Sequence, residues 1–198
     1  MRSSHIFLVP YAYDRLNKNK QEGKGTRARC DALIEVIRRI PEEEIVGVIL
    51  TAGFTKENPR APSNKHRISL AEQMSAYLQL CEWKLEGKTT VEPCTWGTLG
   101  ETVEAIRIAE ALCRRRQMPP KSVEIFVSSN PLHLYGRIAL CWFALKPRGW
   151  RVRLVPARHR FTWRECLREL FVKIPYCAFT LLGMGFLGSV RSKTALVC

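Results

Sequence analysis

Short apolar runs alternate along the chain with longer amphipathic stretches, as expected for strands and helices that follow one another. The apolar runs predict β-strands; they are His5–Val9, Ile45–Thr51, Thr89–Val91, Val123–Ser128 and Arg151–Val155. The stretches with apolar residues every three or four positions predict α-helices; they are Thr26–Ile40, Ser69–Glu86, Thr98–Arg115 and Pro131–Leu145. The alternation predicts one α/β domain with about five mainly parallel strands and helices on both faces.

The composition of each run predicts its place in the sheet. Ile45–Thr51 is the most apolar run, and Val123–Ser128 is nearly as apolar, so both are expected in the interior of the sheet. Arg151–Val155 alternates strictly between basic and apolar residues. Such alternation leaves one face in water, which predicts a strand near an edge.

Residues that favour helix N-caps follow several of these runs. Asn130 precedes Pro131, and a Ser/Thr-x-x-Glu capping box is predicted at each of three helix starts. These boxes are Ser69 to Glu72, Thr98 to Glu101 and Thr162 to Glu165. Parallel strands gather the following helix N-termini at one edge of the sheet, where free N–H groups attract anions. The pattern therefore predicts a site for a small, negatively charged ligand.

The charge of the chain also favours anionic partners. Its 198 residues include 32 Lys and Arg but 18 Asp and Glu, a formal net charge of +14. This excess suits nucleotides, RNA or phospholipid head groups, and a solvated basic surface is an equal alternative. No basic stripe interleaved with aromatic residues is present, so nucleic acid is the less favoured partner.

Cysteine usage and the first residues bear on the compartment. The eight cysteines show no Cys-x-x-Cys and no zinc-type spacing with His, so no metal site is expected. Several lie among apolar residues, which favours a reducing compartment. After Arg2 the apolar run Ile6–Val9 is too short for a secretory signal. The expected location is cytoplasmic.

The last segment of the sequence is unusually apolar. Ile174–Val190 contains no charged residue, and its 17 positions lie at the lower limit for a membrane span. Pro175 and three glycines interrupt it. We therefore expect an α/β domain over residues 1–170 and an apolar tail over residues 171–198. The tail should pack on the domain or on a second copy, with membrane contact through residues 174–190 as the alternative.

Four blocks occur in order over residues 5–157, and together they resemble a known family. The blocks are His5–Val9 with a helix containing Arg29, Leu50–Gly53 with Ser69–Tyr77, Thr95–Ala105, and Phe126–Phe143 ahead of Val152–Pro156. They resemble the YdcF/SanA/ElyC-like domain family, a bacterial group of largely undefined biochemical role. Its Asn-Thr-x-Glu-Asn and Val-Thr-Ser-x-x-His-x-x-Arg blocks stand where Thr95–Ala105 and Phe126–Phe143 stand here. Two positions depart from the family pattern: Glu101 is shifted by one, and Arg137 comes one residue late.

The resemblance implies a three-layer, Rossmann-like domain with a pocket at the carboxyl ends of the strands. One family member is reported to bind S-adenosylmethionine, which makes it the candidate cofactor, and others are linked to envelope biogenesis. If the protein is an enzyme, His133 with Ser128 or Ser129 nearby would suit a hydrolase or transferase acting on a phosphate ester, and the sequence leaves open whether any reaction occurs. The alternative is a non-catalytic basic module that binds RNA or acidic lipid. Neither a Gly-x-Ser-x-Gly motif nor a Walker lysine loop is present. The Gly-x-Gly-x-x-Gly motif is missing after the first strand, where Pro10-Tyr11-Ala12-Tyr13 stands instead, which argues against NAD.

Position and resemblance together select the candidate site residues. His133 and Arg137 are four residues apart, so a helix would place them on one face at the pocket rim. His133 is the expected acid–base group, with Ser128 or Ser129 nearby. The catalytic candidates are His133, Ser129 and Glu101, and the ligand-binding candidates are Arg29, Thr51, Gly53, Glu72, Thr98, Ser128, Asn130 and Arg137. Each Glu of a capping box also has the simpler role of a cap.

Overall fold

A computed structural model describes residues 5–11, 24–52, 69–93, 95, 97–158 and 163–184. Five parallel strands form one sheet in the order β3-β2-β1-β4-β5. The strands are β1 His5–Pro10, β2 Ile45–Thr51, β3 Thr89–Glu92, β4 Val123–Ser129 and β5 Arg151–Pro156. Helices cover both faces, which confirms the predicted α/β, three-layer, Rossmann-like architecture.

The helices lie close to the predicted stretches but are more often interrupted. They are α1 Lys24–Ile37, α2 Leu70–Cys81, α3 Gly97–Arg115, α4 Pro131–His133, α5 Ala139–Leu145, α6 Trp163–Arg168 and α7 Ile174–Met184. Two π-helical turns join pairs of these helices: Leu134–Ile138 connects α4 to α5, and Glu169–Lys173 connects α6 to α7. The predicted helix Pro131–Leu145 is thus two helices joined by a kink at Gly136, whose backbone (φ −94°, ψ −113°) is not helical.

Alternation along β1 divides the core between the two faces of the sheet. Phe7 and Val9 belong to the cluster under α3 and α5, which also contains Trp142. Ile6 and Leu8 belong to the cluster under α1 and α2. Because β1 is the middle strand, both of its faces are buried.

The strand positions follow their composition. β2 is buried along its whole length and lies in the interior, as predicted, although β1 takes the middle position. β5 lies at an edge, and its two exposed arginines, Arg151 and Arg153, pair with the buried carboxylate of Glu124 on β4. The alternation of β5 therefore reports an edge strand, as expected.

The helix caps test the capping predictions individually. Ser69 and Glu72 form a reciprocal capping box at α2, and the side chain of Asn130 accepts a hydrogen bond from Leu132 N at α4. The capping box predicted for Thr98 is wrong, because α3 begins at Gly97 and Thr98 lies inside it. Its carbonyl instead accepts a hydrogen bond from Thr102 Oγ1, 2.6 Å away. Thr162 lies outside the described residues.

The first part of the predicted tail packs on the domain through α7. An added Cβ at Gly136 would lie 2.6 Å from Cδ1 of Ile174, so the π-helical turn and α7 are in close contact there. The Sγ atoms of Cys141 on α5 and Cys177 on α7 are 3.2 Å apart. The expected boundary between residues 170 and 171 falls inside the π-helical turn Glu169–Lys173. Within the described ranges, no helix combines the length and hydrophobicity needed to cross a bilayer.

The contact between Gly136 and Ile174 can be tested by substitution. Gly136→Ala should lower the free energy of unfolding by about 1–3 kcal/mol, because the new methyl group overlaps the Ile174 side chain. Ile174→Val removes the overlapping Cδ1 atom, so the same alanine should cost about 1 kcal/mol less in that background. Urea unfolding of the four proteins measures this coupling. Equal costs in both backgrounds would contradict the packing of α7 on the π-helical turn.

Candidate functional site

Three charged side chains and a histidine, each from a different element, meet at the carboxyl end of β4. Arg29 comes from α1, His133 from α4, Arg137 from the first π-helical turn and Glu169 from the second. We call these four residues the charged cluster. Arg29 and Glu169 are each 1% exposed and His133 is 2% exposed, so most of the cluster is withdrawn from water.

Arg29 anchors the cluster to the sheet. Its Nη1 donates to the backbone carbonyl of Tyr11, 2.7 Å away, and its Nη2 lies 3.3 Å from Nδ1 of His133. Its own backbone carbonyl accepts a hydrogen bond from Ser128 Oγ at 2.9 Å. The guanidinium is therefore held between the loop after β1 and the imidazole ring.

The contacts of His133 define its tautomer. Because Arg29 has only donors to offer, Nδ1 of His133 acts as the acceptor, and Nε2 carries the proton towards Oε2 of Glu169, 3.0 Å away. Burial lowers the pKa of His133 to about 4, assisted by Arg137 and Arg29 and opposed by Glu169. The ring is therefore neutral at pH 7, with both nitrogens engaged.

Glu169 joins the remaining members of the charged cluster. Its Oε1 lies 2.6 Å from Nε of Arg137, and its Oε2 lies 3.6 Å from Nζ of Lys173. Burial alone would raise the pKa of Glu169, but the contact with His133 and the charges of Arg137 and Lys173 lower it overall. Glu169 is therefore an ionised carboxylate at the junction of α6 and α7.

Glu101, in the first part of α3, is a second carboxyl group beside the cluster. Burial raises its pKa to about 8, although the positive charges of Arg137 and Arg29 act in the opposite direction. The backbone carbonyl of Glu101 accepts a hydrogen bond from Thr51 Oγ1 at the end of β2, 3.2 Å away. This bond fixes the start of α3 against the carboxyl edge of the sheet. At pH 7 the Glu101 carboxyl is mainly protonated.

The two serines that end β4 have different surroundings. Ser128 Oγ is engaged with α1 through the carbonyl of Arg29. Ser129 points to the opposite face of the sheet, the face covered by α3, because side chains alternate along a strand. Its Oγ is buried and has no hydrogen-bond partner within the described part of the chain. Ser129 is thus an available hydroxyl at this edge, as is Thr95 after β3, whose buried Oγ1 also has no hydrogen-bond partner among the described residues.

The structure brings together only some of the predicted site residues. Arg29, Ser128, His133 and Arg137 meet in or beside the cluster, and Glu101 interacts with it electrostatically. Thr51 and Asn130 are buried at strand ends and serve backbone groups. Thr98 is a buried residue of α3, Glu72 is an exposed cap of α2, and Gly53 lies outside the described residues.

Sequence reasoning missed Glu169, Lys173 and Tyr11. Glu169 is the last acidic residue before the uncharged run, and it stands four residues before Lys173, a spacing that signals a helical ion pair. The hydroxyl of Tyr11 lies 2.5 Å from Thr102 Oγ1 and accepts a hydrogen bond from Trp142 Nε1 at 3.0 Å.

The described residues offer no metal site beside the charged cluster, and a cavity in the domain lies away from it. Among the described residues, no group of three or more His, Cys, Asp or Glu side chains is placed to hold a metal ion. A cavity of about 260 Å³ lies near the end of α3, where its lining includes Cys113, Met118 and Trp150. The strands begin, rather than end, on that side of the sheet. The candidate site is therefore the charged cluster with Glu101 and Ser129.

Comparisons of the chain with protein-family models, with curated proteins and with solved structures give no significant match in any of the three. The assignment of the site therefore depends on the geometry and electrostatics described above.

The raised pKa of Glu101 predicts a specific dependence of stability on pH. The folded state holds the proton up to about pH 8, whereas the unfolded chain releases it near pH 4.5. The favourable contribution of the protonated group is thus complete below pH 4.5 and is lost as pH rises through 8. Glu101→Gln mimics the protonated form at every pH. Its stability relative to the natural chain should therefore increase between pH 5 and pH 8.5, by up to about 4 kcal/mol.

Urea unfolding at several pH values measures this difference. Glu35→Gln removes an exposed carboxylate from α1 and serves as the control, whose effect should stay small throughout. A stability difference for Glu101→Gln that is the same at pH 5 and pH 8.5 would show that Glu101 is not protonated in the folded protein at neutral pH.

Proposed function

We propose that the protein binds a small phosphorylated or nucleotide-like molecule beside the charged cluster, at the carboxyl ends of the strands. The observation that supports this proposal is the charge balance at this edge. Arg29, Arg137 and Lys173 are cationic, whereas Glu169 is the ionised carboxylate among them. Glu101 is mainly protonated at pH 7, and His133 is neutral.

Two of these cations lie at the rim of the cluster. Arg137 and Lys173 both contact the carboxylate of Glu169, and both side chains remain partly exposed. A phosphate group at the rim would place a further anion within reach of both. Arg137 is suited to contact it, because its side chain is 19% exposed. A guanidinium group can also donate two parallel hydrogen bonds to the oxygens of one phosphate.

The same balance discriminates between ligand classes. S-adenosylmethionine carries a carboxylate that Arg137 could pair with, but its sulfonium centre is positive and would be repelled by Arg137 and Lys173. A phosphate ester carries only negative charge on its polar group. The electrostatics of the site therefore favour a phosphorylated ligand, with S-adenosylmethionine as the second candidate.

The chemistry we propose for this site is hydrolysis or transfer at a phosphate ester. Glu101 is the better acid–base group, because a carboxyl with a pKa of about 8 holds a proton at neutral pH that it can donate to a leaving oxygen. Both nitrogens of His133 are occupied by Arg29 and Glu169, so His133 orients the cluster instead. Ser129 supplies an available hydroxyl.

We also propose membership of the YdcF/SanA/ElyC-like family, from the ordered blocks in the sequence. The Rossmann-like sheet and the position of His133 and Arg137 beside the end of β4 agree with what that resemblance implies. A role in envelope biogenesis would follow from the family and not from the charged cluster itself.

Calorimetric titration with a nucleoside diphosphate, a short-chain polyprenyl phosphate and S-adenosylmethionine tests the proposed ligand class. Binding of a phosphorylated probe is expected, and Arg137→Gln should weaken it about tenfold or more, because a charge-assisted pair with phosphate is lost. Arg116→Gln removes an exposed arginine just beyond the opposite end of α3 and should leave the affinity unchanged.

Two results would contradict the proposal. One is the absence of binding by every phosphorylated probe. The other is binding that responds equally to Arg137→Gln and Arg116→Gln and that weakens steeply with salt, since this indicates a general basic surface. Circular dichroism of both variants shows whether the fold is retained.

A further inference from the structure

The outer face of the segment from α6 to α7 carries a concentration of exposed hydrophobic side chains. Phe171 and Phe179 are each 74% exposed, and aromatic residues flank them along the same helical run. We call the set the apolar stripe; it comprises Trp163, Leu167, Leu170, Phe171, Tyr176, Phe179 and Leu182. Side chains of this size leave water only if something covers them.

The π-helical turn makes the stripe continuous. Successive residues of an α-helix are rotated by about 100°, and a π-helical turn holds about one extra residue, which shifts all later positions by a similar angle. Trp163 and Leu167 precede the turn Glu169–Lys173, while Phe179 and Leu182 follow it. With the shift, these four side chains lie on one side of the helical run. The opposite side carries the buried Glu169 and Cys177.

The charges beside the stripe are basic. Arg164 and Arg168 are exposed on α6 and lie along one margin of the stripe. Between Trp163 and Met184 the acidic residues are Glu165, which is half-buried, and Glu169, which is buried. The exposed charge of this segment is therefore positive. The sequence beyond it stays uncharged to Val190 and then contains further basic residues.

We propose that the apolar stripe binds the surface of a membrane that contains anionic lipids, with the α6–α7 segment lying in the plane of the interface. Aromatic and leucine side chains would enter the boundary between head groups and acyl chains, and Arg164 and Arg168 would contact lipid phosphates. This mode needs no membrane-spanning helix. It is independent of the ligand proposed for the charged cluster, whose residues lie on the opposite, buried side.

Charge complementarity favours a membrane over a second copy of the chain. A symmetric contact between two stripes would bring the arginines of both copies together, without exposed acidic residues on this segment to pair with them. The net charge of +14 adds repulsion between copies. An anionic bilayer instead offers apolar and negative groups at the same surface.

Vesicle co-sedimentation of the full chain tests the proposal. Binding should be measurable with vesicles of phosphatidylcholine and phosphatidylglycerol and much weaker with phosphatidylcholine alone. Phe171→Ser with Phe179→Ser should reduce binding about tenfold or more, through lost apolar burial. Arg164→Gln with Arg168→Gln should reduce it by about fivefold for each arginine. Leu80→Ser, at an exposed leucine of α2, and Arg115→Gln with Arg116→Gln are the matched controls and should bind like the natural chain.

Three results would overturn the proposal. The first is no binding to either kind of vesicle, and the second is binding that the Phe171→Ser/Phe179→Ser protein retains in full. The third is a dimer in sedimentation velocity that the same two substitutions dissociate, because a second copy would then occupy the stripe. Because all four stripe and margin residues in these variants are exposed, the fold should persist, and circular dichroism checks that it does.

Discussion

The buried carboxylate of Glu169 is the constraint on which the candidate site depends. It contacts His133 and Arg137, which lie on the neighbouring α4–α5 run, and it also contacts Lys173 from its own segment. Breaking a buried pair by removing one partner typically costs about 3–5 kcal/mol, because the other charge stays buried and uncompensated. The α6–α7 segment is therefore part of the site and not an appendage to a finished domain.

The two π-helical turns place these groups within reach of one another. Leu134–Ile138 carries Arg137, and Glu169–Lys173 carries Glu169 and Lys173. The Arg137–Glu169 ion pair joins the two turns, and the Lys173–Glu169 pair lies within the second. Gly136 lets the first turn approach α7, since a Cβ atom there would meet the side chain of Ile174. The backbone of Gly136 is itself not helical, so Leu134–Ile138 is a kink between α4 and α5. The turn Glu169–Lys173 carries two side chains of the ion pairs, and π-helical turns are often found at functional sites.

The sequence predicted the sheet well because its signals are local. Hydrophobic runs located all five strands, and strict alternation in Arg151–Val155 identified an edge strand. His133 and Arg137 were found from their spacing and from the turn after β4. Glu169 was missed because two of its partners, His133 and Arg137, are more than 30 residues away along the chain. Thr98 was wrongly predicted as an N-cap because a Ser/Thr-x-x-Glu pattern marks a helix start only when its first residue is not itself helical. Here α3 already begins at Gly97, one residue earlier.

The α6–α7 segment meets two requirements that an uninterrupted α-helix would satisfy less well. Its inner side must place Glu169 against His133 and pack Ile174 and Cys177 against the α4–α5 run. Its outer side aligns hydrophobic residues on both sides of the π-helical turn. The extra residue in that turn shifts the later residues by about 100°, so it sets the inner contacts and the outer stripe together. A change in the length of this turn would therefore disturb both surfaces at once, through the geometry of a single helical run.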